Sequence, residues 1–242
     1  VTVKNHGELF DEPIRLNYSE TEMVEHIDDI QNAIARECLR LVKTEPPVYI
    51  NTFSDVPAAS GLGSSSSFAV GLLNALHALQ GERVSAGQLA QEASTVEIEM
   101  LGRPSGKQDQ YAAAFGGLNL FRFLTDCSVS VDPQILEPSP LEKLFDHIMM
   151  FWTGITRDSS VVLTEQQANT DQKMAELLEM REHALKLKNI ISNGFDPKKF
   201  GQVLDTTWSM KRELASNISS SVIDEWYDRA MNAGAYGGKL CG

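Results

Sequence analysis

Asp55-Val-Pro-Ala-Ala-Ser-Gly-Leu-Gly-Ser-Ser-Ser-Ser-Phe68 joins a strand-like segment, Val48-Tyr-Ile-Asn-Thr52, to a helical pattern over 64–80. Phe68, Leu72, Leu76 and Leu79 recur at helical spacing, and Gly81 sits where such a helix would stop. Gly61 and Gly63 let the backbone turn with no side chain in the way. Four hydroxyls follow where the helix begins, at Ser64, Ser65, Ser66 and Ser67. A helix start offers unpaired N–H groups and a partial positive charge, so strand, glycine loop and helix together make an anion cradle. Glycine- and serine-rich runs are more often linkers or plain turns, but a linker is not framed by a strand and a helix. No Lys follows the second glycine, which excludes a Walker loop, and Ser66 stands where a dinucleotide fingerprint needs glycine.

Working outward, the 242 residues suit one large domain or two modest ones. Hydrophobic residues make up 42% and charged residues 22%, ordinary values for a chain with a packed core. No apolar run is long enough to span a membrane. The net charge of −12 argues against nucleic acid and anionic membranes as partners. It also repels an anionic ligand, so a phosphate site here must carry its own positive charge: a metal ion, helix starts, and local cations. The candidates are Arg103, Lys107, Arg157 and Lys239. Cys38, Cys127 and Cys241 follow no metal-ligand spacing and read as reduced thiols of a cytoplasmic protein. No two of the five His are four apart, which argues against a metal site built from histidines. Val1/Val3 alternation reads as a strand already under way, and Gly242 falls inside a glycine-rich turn. The expectation is a fragment of a longer protein.

The remaining pattern predicts two short strands within 1–18, a helix over Thr21–Val42 and a helix from Ser85 to Leu101. It also predicts a hairpin over 118–123 and 127–132, and a buried strand over Ile148–Thr156. Helices are expected over 158–193 with a break near Asn169-Thr170, then over about 198–216 and 220–233. The run Glu137-Pro138-Ser139-Pro140 is the candidate domain boundary. In the helix from Ser85, Leu89, Ala93, Val96 and Met100 form the apolar stripe. Glu97 falls inside that stripe, while Glu92 and Glu99 fall outside it. An inward carboxylate is costly unless paired or metal-bound. Taken alone, Glu97 reads as a helix-edge residue reaching solvent; beside a phosphate loop it reads better as a Mg²⁺ ligand. Asp109 stands near the start of the short helix Ala112–Phe115, with Lys107 two residues away, and both features favour an ionised carboxylate. It either caps the helix or accepts a proton from a substrate hydroxyl. The last glycine-rich turn, Gly234 to Gly242, holds more glycines than a helix stop requires.

These residues resemble the galactokinase, homoserine kinase, mevalonate kinase and phosphomevalonate kinase (GHMP) superfamily. Pro57 with Gly61 to Ser65 matches its second motif. Gly237-Gly238-Lys239-Leu240-Cys241-Gly242 matches the first half of its third, and its first motif is absent. Lys107 to Tyr111 and Gly116-Gly117-Leu118-Asn119 look like the sugar-kinase branch. The four-serine loop and Phe151-Trp152-Thr153-Gly154-Ile155-Thr156-Arg157 look more narrowly like bacterial D-glycero-D-manno-heptose phosphate kinases.

The resemblance implies an α+β fold: an N-terminal half like ribosomal protein S5 domain 2, a ferredoxin-like C-terminal half, and the active site in the cleft between them. The expected domains are an ATP-binding domain over 1–137 and a C-terminal domain over 138–242. The implied cofactors are ATP and Mg²⁺. Pro57, Ser60, Gly61, Leu62, Gly63, Ser64, Ser65 and Ser66 would hold the nucleotide, and Ser65 and Glu97 the metal. Asp109 and Lys107 would serve catalysis, and Gly117, Arg157, Gly237 and Gly238 would shape the substrate side. The implied partner is a small sugar or sugar phosphate, and a homo-oligomer is allowed. The implied reaction is phosphoryl transfer to a sugar hydroxyl, first the anomeric hydroxyl of a heptose phosphate. An L-fucose or N-acetylhexosamine kinase and a non-catalytic sensor are the alternatives.

Overall fold

A computed structural model describes residues 1–7, 11–56, 60–155, 159–216 and 218–241, with backbone alone for 159–162. The chain divides into two compact units, Val1–Gly116 and Gly117–Gly242. The expected boundary at 137/138 falls inside the second unit, at the first residue of helix Pro138–Asp146.

In the first unit, strands β1 (Thr2–Asn5), β2 (Ile14–Asn17), β3 (Thr21–Val24) and β4 (Val48–Asn51) form one sheet in the order β1-β4-β2-β3. β4 runs antiparallel to β1 and parallel to β2, and β2 pairs antiparallel with β3. Side chains alternate as the pleat demands. Ile14, Leu16, Val48 and Ile50 are buried on one face. On the other, Asn17 donates to the Tyr49 hydroxyl at 2.7 Å and the Arg15 guanidinium lies over the Tyr49 ring. The apolar face packs against α1 (Ala33–Val42), α2 (Ser64–Leu79) and α3 (Ala86–Ser94), through Cys38, Leu39, Leu72, Leu73, Leu76, Leu89 and Ala93 among others.

The expected helix over Thr21–Val42 is corrected. Its first part is β3 and a single 3₁₀ turn at Ile27–Asp29, and α1 begins only at Ala33. Met23, Ile27, Ile30 and Ile34 have helical spacing, but Met23, Ile27 and Ile34 belong to three different elements and Ile30 follows the 3₁₀ turn. The turn between them is held by Glu22, whose carboxylate accepts from the N–H of Gln31 and of Asn32 at 2.6 and 3.0 Å. Asn32 then caps α1, accepting from the Ala35 N–H.

The helix expected from Ser85 is real but changes register. Ser85 caps α3 by accepting from the Gln88 N–H, and residues Thr95–Met100 continue as a π-helical turn. The Leu101 N–H accordingly donates to the Val96 carbonyl at 3.0 Å. The wider turn rotates the last residues, so Met100, expected in the stripe, is 38% exposed while Val96 and Glu97 are both buried.

His77 joins the far end of α2 to α3. Its Nδ1 meets Glu82 at 2.7 Å and its Nε2 meets Glu92 at 2.8 Å. Burial alone pushes the imidazole pKa down, but the two carboxylates more than offset it, and the net direction is upward from 6.5. A group whose folded pKa is raised stabilises fully below its unfolded pKa and loses that contribution as pH rises through the folded one. His77→Gln should therefore cost most stability below the ordinary imidazole value and progressively less in alkaline buffer. Urea unfolding of both proteins across that range measures it; a gap independent of pH would contradict the assignment.

In the second unit, β5 (Asn119–Phe123) and β6 (Val129–Pro133) form the expected hairpin. Among the described residues five helices follow: α5 (Pro138–Asp146), α6 (Ser159–Ala168), α7 (Met174–Ser192), α8 (Pro197–Arg212) and α9 (Ser221–Asn232). The break expected near Asn169-Thr170 separates α6 from α7. Lys188 of α7 reaches Asp132 of β6 at 2.6 Å. Trp208, Leu214, Ile218 and Ile223 form one small core; Leu144, Ile191 and Phe195 form another.

The buried strand expected over Ile148–Thr156 is corrected for its described residues. Residues 148–155 make no ladder, and Met149 and Met150 are each 78% exposed. An apolar run is buried only where enough surface packs on it, and here Phe151 and Trp152 also stay 72% and 53% exposed. β5 and β6 are the only strands among the described residues of this unit, and no ferredoxin-like sheet is formed there.

Candidate active site

The loop before α2 turns twice through left-handed backbone, at Gly61 (φ 73°) and Gly63 (φ 68°), where a side chain would be strained. Gly63 is the N-cap of α2 and supplies no capping side chain. The helix therefore presents its first N–H groups and the positive end of its dipole to whatever lies beyond. The Ser60 hydroxyl beside it is buried with no partner among the described residues.

Two acidic residues from later segments converge on this turn. Glu97 is 2% exposed, on the π-helical turn, and its carboxylate is gripped on both oxygens. Oε1 accepts from the Ser65 hydroxyl at 2.7 Å and from Arg103 Nη1 at 2.8 Å. Oε2 accepts from the Ser66 hydroxyl at 2.6 Å and from Gln110 Nε2 at 2.7 Å. The inward carboxylate inferred from helical phase is thus paired rather than reaching solvent. π-Turns of this kind often sit at functional sites, where they re-aim one side chain.

Asp109 belongs to α4 (Gln108–Phe115), one residue inside its start. It does not cap the helix: the N-cap is Lys107, with no side-chain capping bond. Instead Asp109 lies against Gly63, so that a Cβ added there would stand 3.5 Å from its Cγ and 3.5 Å from Oδ2. The helix start and Lys107 are expected to favour its ionised form, but the net shift runs the other way. Burial, and then the negative charge of Glu97, raise its pKa above the usual aspartate range. A neighbouring carboxylate counts for more here than a lysine two residues along the chain.

The structure thus brings Gly63, Ser65, Ser66, Glu97 and Asp109 into one cluster, with Ser60, Gly61, Leu62 and Ser64 on the adjoining turn and Lys107 at the start of α4. Gly117, Gly237 and Gly238 lie in the second unit. Gly237 has a packing reason of its own, since a Cβ there would collide with the Gly201 carbonyl of α8. Pro57 and Arg157 lie outside the described residues. Gln110 carried no role in the sequence reading. Its place in the Asp-Gln pair was visible, but its reach to Glu97 depends on how α4 lies against α2 and α3.

Residues 24–117 match the model of the GHMP kinases N terminal domain. This segment is a GHMP kinase N-terminal domain. Over its length the chain is similar to the D-glycero-alpha-D-manno-heptose 7-phosphate kinase of Campylobacter jejuni, 29% identical and covering 97% of this chain and 71% of that protein. It is also similar to the galactokinase of Pyrococcus furiosus, 29% identical over 78% of this chain and 59% of the relative. A crystal structure of a D-glycero-D-manno-heptose 1-phosphate kinase from Bacteroides thetaiotaomicron superposes with a TM-score of 0.72 at 23% identity, covering 100% of this chain and 72% of that one. The fold is that of the GHMP kinases, an α+β arrangement, and the relatives similar to the chain are kinases of that family. No described helix is long and apolar enough to cross a membrane.

Proposed function

We propose that this chain is a cytoplasmic, ATP-dependent sugar kinase that passes the terminal phosphoryl group of ATP to the anomeric hydroxyl of a D-glycero-D-manno-heptose phosphate. The observation that carries the reading is the convergence on one glycine–serine turn. Glu97 grips Ser65 and Ser66 while Asp109 abuts Gly63. The heptose-phosphate relatives supply the acceptor class.

Phosphoryl transfer needs positioning and charge neutralisation more than covalent chemistry. The bare start of α2, with Gly61, Leu62, Gly63 and Ser64, takes the phosphates through backbone N–H groups, and the Ser60 hydroxyl, without a partner among the described residues, adds a donor. The donor set at Ser65 and Glu97, a hydroxyl and a carboxylate 2.7 Å apart, is hard oxygen throughout and fits Mg²⁺. Mg²⁺ bound there supplies positive charge to the phosphate oxygens. Asp109 accepts the proton of the attacking sugar hydroxyl as its oxygen bonds to phosphorus and the bond to ADP breaks. A raised carboxyl pKa makes it the better base for that proton. Lys107 adds positive charge beside it, and Gly117, Arg157, Gly237 and Gly238 are assigned to the sugar substrate.

An ADP-release assay over a panel of heptose phosphates, free heptoses and hexoses tests this. Turnover is expected with a heptose phosphate and little with neutral hexoses. The reverse order would replace the acceptor class with a neutral sugar, and ATP binding without turnover on any sugar would remove the kinase reading.

A further inference from the structure

The Glu97 carboxylate has four in-plane acceptor positions, and all four are taken. A metal ion cannot join that oxygen pair until one donor leaves. Three of the four are poor candidates for leaving. Ser66 and Gln110 are 3% and 2% exposed and have nowhere to go, and the Ser65 oxygen can itself turn to a metal. The fourth is Arg103, whose side chain is 40% exposed. It stands on the loop after the π-turn, where Gly102 reverses the chain through φ 64° and the Arg103 N–H donates to the Glu97 carbonyl at 3.1 Å. Its guanidinium donates to Oε1, the same oxygen that the Ser65 hydroxyl reaches. Among the described residues it is the cation that pairs with this buried carboxylate, at 2.8 Å.

We propose that Arg103 is a displaceable stand-in for the metal. It keeps Glu97 paired and aimed at Ser65 while no metal is bound, and it swings into solvent when the metal–nucleotide complex arrives. The inference rests on the metal reading of Ser65 and Glu97 given above. Arg103 is a positioning residue in this scheme, acting through Glu97 and not on the substrate.

Mn²⁺ titration followed by electron paramagnetic resonance, with a non-hydrolysable ATP analogue present, tests it in wild type, Arg103→Gln and Glu97→Gln. With its competitor removed, Arg103→Gln should bind Mn²⁺ about tenfold more tightly, the gain expected when the paired state dominates the metal-free protein. Equal or weaker Mn²⁺ binding by Arg103→Gln, with Glu97→Gln clearly weakened, overturns the inference and leaves the metal site standing. Unchanged Mn²⁺ binding in Glu97→Gln overturns the metal reading itself. A second readout needs no variant beyond one for assignment. The Arg103 guanidinium ¹⁵N signals of wild type should change from hindered to freely rotating on adding Mg²⁺ and the analogue. Signals that stay hindered contradict displacement.

Discussion

Asp109→Asn should lower kcat by ~10²–10⁴-fold, the usual contribution of a positioned general base, while ATP affinity stays close to wild type. Asp109 packs against Gly63, the residue from which α2 starts, and so faces the place where the terminal phosphate would lie. It is not the helix cap, so asparagine removes no capping bond. The amide has nearly the same shape but cannot take a proton. Loss of turnover with little change in KM for ATP is the signature of an interaction made in the transition state. Steady-state kinetics with both substrates varied measures it. Equal losses in ATP binding and turnover would make Asp109 a scaffold for the loop instead.

Glu97→Ala should be the most destabilising change at the site. It leaves the Ser66 hydroxyl and the Gln110 amide, both buried, without their acceptor. Each stranded donor costs about 1–3 kcal/mol, so the loss is roughly 2–6 kcal/mol in all. Arg103 adds little, because its exposed side chain can turn to water. The cost should appear in urea unfolding of the metal-free protein, separate from any effect on catalysis. A loss under 1 kcal/mol would mean that solvent reaches Ser66 and Gln110 freely, against their burial.

Much of this cluster could be read from residue order, and what could not has a physical reason. Gly61, Gly63 and the serines declare a phosphate turn because strand and helix signals flank them. Glu97 stood out because a carboxylate fell within an apolar stripe. The π-turn was invisible: it adds a residue to one hydrogen-bond ring without disturbing the apolar spacing before it, and only the outward turn of Met100 reveals it. The meeting of Asp109 with Gly63 links residues 46 positions apart, which local patterns do not encode. The misread helix at 21–32 came from apolar residues whose spacing matched a helix by coincidence, while Glu22 secured a turn through two backbone N–H groups. The misread strand at 148–155 shows the opposite failure. Composition there promised burial, but burial needs a partner surface, and composition cannot provide one.

The central claim is that the glycine–serine turn wraps a nucleotide's phosphates with both carboxylates beside the terminal one. A crystal structure with Mn²⁺ and a non-hydrolysable ATP analogue tests it most directly. The account predicts an anomalous Mn²⁺ peak bounded by the Ser65 hydroxyl and the Glu97 carboxylate, phosphates over the start of α2, and the terminal phosphate facing Asp109. A nucleotide bound elsewhere, or a metal held without Glu97, would contradict it.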